Sequence, residues 1–71
     1  MPIRMHFGEQ VRIKRRALNL TQEELAHIAG INRSHMGHIE RGTKTTRITT
    51  VASIAKALNC RVMVLLDFDP K

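Results

Sequence analysis

Two histidines three residues apart, His35 and His38, are the first residues in this 71-residue chain whose spacing suggests chemistry. On a helix that spacing puts both imidazoles on one face, where they could grip a metal ion. No third ligand lies nearby in sequence, so a metal is not expected. Just before them stands Arg33. An arginine at the first turn of a helix laid in a DNA groove can hold guanine O6 and N7 with two parallel hydrogen bonds. Cys60 is the one cysteine, which excludes an internal disulfide and reads as a buried apolar residue in a reducing compartment. Nothing pairs a nucleophile with a base, no glycine-rich loop cradles a phosphate, and no carboxylates converge. An enzyme is not expected, nor a cofactor.

The charge points to a different kind of chemistry. Twelve Lys and Arg against six Asp and Glu give a net charge of +6 at pH 7. Hydrophobic residues make up 42%, enough for a core and too many for a disordered basic tail. No apolar run reaches the roughly 20 residues that span a bilayer, and the first ten residues contain no signal-peptide stretch. A small basic folded domain of this kind binds an anionic polymer or a partner chain.

The elements that must carry these residues follow from local signals. Over 6–18 the apolar Phe7, Val11 and Leu18 form one helical stripe, with Lys14 laying its stem along it. Thr21 and Glu24 are spaced as a capping box, opening a helix over 22–29 with Leu25, Ile28 and Ala29 on one face and small Ala26 beside them. Gly30 ends it. Asn32 caps a third helix running to about Glu40, anchored by Ile31, Met36 and Ile39, so that Arg33, Ser34, His35, Gly37 and His38 face outward. A fourth helix over 47–58 places Ile48, Val51, Ile54, Ala55 and Leu58 at core spacing. Beyond it Cys60, Val62, Val64, Leu66 and Phe68 alternate with other residues at period two, which predicts a strand; a short fifth helix using Val62, Leu65 and Leu66 is the competing reading.

Helices two and three, joined by the tight turn Gly30-Ile31-Asn32, have the layout of a helix-turn-helix, whose second helix enters the DNA major groove. Here the sequence resembles the phage-repressor/Cro family of DNA-binding domains, also called XRE-type. LTQEELAHIAGINRSHMGHIERG, residues 20–42, follows the family pattern, and ITTVASIAKALN, residues 48–59, resembles its fourth helix. The resemblance covers about 7–59.

It implies a mostly α, compact four-helix lambda-repressor-like domain, with the C-terminal strand or fifth helix used in dimerisation. It also implies roles. Gln22 lies where the family contacts the phosphate backbone and sometimes a base. Arg33, Ser34 and His38 occupy base-reading positions, with His35 beside them, and Arg41, Thr43 and Lys44 fall in the loop laid along the phosphates. Arg15 and Glu40 match an internal ion pair. His38 departs from the small or amide side chain common at its position. The run LNCRVMVLLD more loosely resembles the strand that pairs across the dimer in HipB-like antitoxins. Val62, Val64, Leu66 and Phe68 are then the dimerisation residues, and 1–71 is one domain with 60–71 as dimerisation segment and tail.

The function expected is a cytoplasmic, homodimeric, sequence-specific regulator of double-stranded DNA, repressing from a palindromic operator. An antitoxin that also binds a toxin protein, a restriction–modification controller, and a non-specific DNA-compaction or protein-interaction module are the alternatives.

Overall fold

Four helix ends of this chain close with the same hydrogen bond. The computed structural model describes residues 3–44 and 46–66, which form α1 (Ile3–Ala17), α2 (Gln22–Ala29), α3 (Arg33–Arg41), α4 (Ile48–Ala57) and α5 (Val62–Leu66). After each of the first four, a backbone N–H reaches back five residues to a carbonyl of the last turn. These bonds run from Leu20 to Arg15, Ile31 to Ala26, Thr43 to His38 and Cys60 to Ala55, at 2.9–3.1 Å. The residue before each of these donors has positive φ: Asn19 (59°), Gly30 (76°), Gly42 (70°) and Asn59 (55°). Glycine adopts that conformation without strain and asparagine tolerates it, so four short residues set four sharp corners.

The helix starts are set as locally. Thr21 Oγ1 accepts from the Glu24 N–H at 3.0 Å, and Glu24 Oε1 accepts from the Thr21 N–H at 2.8 Å, a complete capping box. Asn32 Oδ1 accepts from the His35 N–H at 2.7 Å. Arg47 precedes α4 without a side-chain cap, so packing of its buried face holds that helix.

Side chains from all five helices meet in one core. Val11, Leu25, Met36, Ile39, Ile54 and Leu65 are essentially closed to solvent, with Phe7, Ala26, Val51, Ala55 and Leu58 around them. Each fully buried Val, Leu, Ile, Met or Phe side chain contributes about 1.5–3 kcal/mol relative to exposure. Helix α1 packs on α3 and α5, α2 packs on α3 and α4, and α4 packs on α5. Helices α1 and α3 approach closely at Gly8. A Cβ on Gly8 would collide with the Ile39 carbonyl oxygen and crowd that of Glu40, so the two backbones touch where α1 carries no side chain.

Several expectations change. The period-two run after Asn59 forms α5, the short-helix reading, rather than a strand. Every residue of 62–66 is apolar, so the alternation carried little information. The helix seats Leu65 fully in the core and packs Val62 against it, leaving Met63 68% and Val64 37% exposed. Phe68 lies outside the described residues. Leu18 falls in the turn after α1, half-exposed, and does not join the stripe of Phe7 and Val11. Ile28 and Ile48 were expected inward but are 55% and 69% exposed. Leu25 and Ala26 fill the α2 contact instead, and Ile48 is the first residue of α4, before its buried face begins at Val51.

Candidate nucleic-acid interface

Helix α3 divides sharply around its axis. Met36, Ile39 and Glu40 point inward and are buried. Ser34, Gly37, His38 and Arg41, spaced i, i+3, i+4 and i+7, form the opposite stripe.

Glu40 fixes the inner side. It is 6% exposed, and its carboxylate accepts from Arg15 Nε at 2.7 Å, Arg15 Nη2 at 3.0 Å and Gln22 Nε2 at 3.1 Å. The third Arg15 nitrogen donates to the Leu20 carbonyl at 2.8 Å. One acidic side chain on α3 thereby ties down α1, the turn after it and the start of α2. A buried pair of this kind adds little net stability, but it is costly to break and it fixes where the helices sit.

The outer side is built from donors. Arg33, Ser34, Gly37 and Arg41 line a shallow polar recess with Gln22, which stands at the first position of α2. Ser34 separates it from a second recess, lined by Asn32, His35, His38 and Lys44. No carboxylate lines either recess. The Gln22 amide nitrogen is held by Glu40, so its position follows from the buried ion pair.

Gly37 faces outward, yet it is buried, because the Arg41 guanidinium folds back over it. A Cβ there would meet Arg41 Nη1 at 3.1 Å. Arg41 closes α3 and lies over the helix, with Nη2 at 3.4 Å from His38 Nδ1. Thr43 Oγ1 sits 2.9 Å from the same Nδ1 and 3.3 Å from the His38 carbonyl oxygen. The His38 pKa is lowered from its ordinary 6.5 by partial desolvation, then by the positive charges of Lys44 and Arg41 and by His35.

The structure thus groups Gln22, Arg33, Ser34 and Arg41 at one recess, and His35, His38 and Lys44 at the other. Thr43 bridges to His38, and Arg15 and Glu40 lie beneath. Val62 packs inside, apart from them. Among the described residues no three of His, Cys, Asp and Glu come together as a metal site, and no helix is long and apolar enough to cross a membrane. Sequence reasoning missed Gly8, which admits the α3 backbone, and faced Gly37 outward without showing that it seats Arg41. A glycine in mid-helix, where it costs about 1 kcal/mol relative to alanine, was the available signal for both.

A capped two-helix unit with a glycine turn, whose second helix turns a carboxylate-free polar stripe outward, defines the class: a helix-turn-helix domain. The family model described as Helix-turn-helix matches residues 11–65, and the chain belongs to that family. It is 41% identical to control protein C.SmaI of Serratia marcescens over 66 residues, covering 93% of this chain and 79% of that protein. The fold is similar to that of the restriction-modification controller protein C.AhdI from Aeromonas hydrophila, with a TM-score of 0.85 and 34% identity over 87% of this chain and 94% of that one. It is also similar to the P22 c2 repressor, solved in complex with a synthetic operator, with a TM-score of 0.82 and 27% identity over 89% and 96% of the two chains.

Proposed function

We propose that this chain is a sequence-specific double-stranded DNA-binding transcription regulator of the restriction–modification controller kind, working as a homodimer on a two-fold-related operator. The observation that carries the reading is the outer stripe of α3: a donor-rich face without carboxylates on a helix fixed from behind by Glu40. Likeness to C.SmaI and C.AhdI across most of their lengths supports the controller assignment.

Arg33, at the start of α3, reads a guanine edge in the major groove, and Ser34 and His35 contact the DNA beside it. Gln22, Arg41 and Lys44 bind phosphates. Each phosphate neutralised releases counterions, so log K falls with log salt by about 0.9 per contact. A dimer sets two α3 helices about 34 Å apart, one turn of DNA. The exposed Met63 and Val64 on α5 give such a dimer apolar surface to bury. The chemistry is recognition, without catalysis, and its place is the cytoplasm, beside the DNA.

The test is selection from a random duplex pool, followed by titration of the winning sequence at two salt concentrations. A palindromic consensus bound about a thousandfold more tightly than random DNA supports the reading. Binding without a consensus that vanishes at moderate salt overturns it.

A further inference from the structure

His38 is held from one side only. Its Nδ1 lies 2.9 Å from Thr43 Oγ1 and 3.4 Å from Arg41 Nη2, while among the described residues no hydrogen bond engages Nε2. A neutral imidazole carries a single N–H, and the neighbours of one nitrogen decide which nitrogen bears it. Arg41 can only donate. A hydrogen on Nδ1 would therefore meet its guanidinium donor to donor. The one hydroxyl hydrogen of Thr43 has two acceptors within reach, Nδ1 at 2.9 Å and the His38 carbonyl oxygen at 3.3 Å. The shorter contact and the cation beside it both direct the Thr43 hydroxyl hydrogen toward Nδ1, which accepts it.

We propose that His38 is a specificity-determining residue fixed as the Nε2–H tautomer, with Thr43 and Arg41 as positioning residues that set it. His38 then offers the groove one outward donor. It bonds an acceptor atom in the major groove, guanine O6 or N7, adenine N7 or thymine O4, and cannot bond an amino group, that of cytosine N4 or adenine N6, placed at the same point. Partial desolvation, then the charges of Lys44 and Arg41 and then His35, oppose a second proton on the ring and so favour a neutral imidazole. The inference rests on the DNA-binding reading above and adds what one residue recognises.

Nitrogen-15 spectra of the free protein test the tautomer without DNA. The expected pattern is a pyridine-like signal at Nδ1 and a pyrrole-like signal at Nε2 of His38; the reverse overturns the proposal. Thr43→Val moves the Nδ1 signal toward the tautomer average and Thr43→Ser restores it, whereas an unmoved signal removes Thr43 from the positioning role. Selection from random duplex DNA then tests the reading. His38→Ala loses discrimination at one position of the consensus by about fivefold, the scale of a single hydrogen bond, and keeps the others. If the wild type selects a consensus and His38→Ala selects the same one unchanged, His38 is not a reader. If the wild type selects no sequence, the DNA-binding reading itself falls, whatever the tautomer.

Discussion

The two faces of α3 handle polar groups in opposite ways. On the inner face, Arg15, Glu40 and Gln22 satisfy one another at 2.7–3.1 Å, with the Arg15–Glu40 pair closed to solvent. On the outer face, Arg41 and Lys44 line recesses without a carboxylate, Arg33 lies between one of these and a recess that includes Glu23, and among the described residues none of the three makes an ion pair. Charge that is answered inside the molecule sets geometry. Charge left unanswered at the surface is available to a phosphate. The difference is one of position on a nine-residue helix, since both faces draw on neighbouring residues such as Glu40 and Arg41.

Breaking the inner face has the largest expected effect. Glu40→Ala leaves the Arg15 guanidinium buried and unanswered and lowers stability by about 3–5 kcal/mol. Denaturant unfolding measures it, and a loss under 1 kcal/mol contradicts the assignment of Glu40 as the anchor. Gly8→Ala forces a methyl group against the α3 backbone and costs about 1–3 kcal/mol, where an ordinary exposed helix position gains from the same change. A melting temperature that rises in this variant shows that α1 and α3 do not touch there.

On the outer face the same kind of change leaves stability alone. Arg33→Ala keeps the wild-type melting temperature but loses about 1–3 kcal/mol of discrimination at one base pair, read by competition binding. Lys44→Ala has a smaller effect: the salt slope falls by about one, equally on every sequence.

The smallest effect is a titration. Folding lowers the His38 pKa from 6.5, so the unfolded chain takes up its proton more readily. Acidification from about that pH down through the lowered folded value therefore removes stability, and further acidification removes no more through this group. Lys44→Ala lifts one of the positive charges and moves the folded pKa back toward 6.5, as imidazole proton shifts against pH report. No movement means that Lys44 does not face the ring.

Sequence showed clearly those parts of the fold that short-range chemistry decides. Thr21 with Glu24, Gly30 and Asn32 act within one helical turn, and they sit where their residue types say. Partners distant in the chain were harder to read. Ile28 and Ile48 fit an apolar stripe, but whether a stripe position is covered depends on where neighbouring helices end. The run at 62–66 was ambiguous because uniformly apolar residues suit a strand or a helix alike, and the gap that Leu65 fills decides between them. The grouping of Gln22 with Arg33, Ser34 and Arg41 was accessible only through the resemblance. The contact between His38 and Thr43 depends on how the chain turns at Gly42, and spacing alone did not suggest it.

The segregation of α3 also bears on how such a protein changes over generations. Met36, Ile39 and Glu40 carry the helix's share of the packing, while Ser34 and His38 sit on the exposed stripe outside the hydrophobic core. On the proposed reading, a substitution at either of these two outer sites alters what is recognised while the scaffold stays folded. A lineage can therefore move from one target sequence to another through intermediates that all remain stable, with binding preference as the only trait exposed to selection.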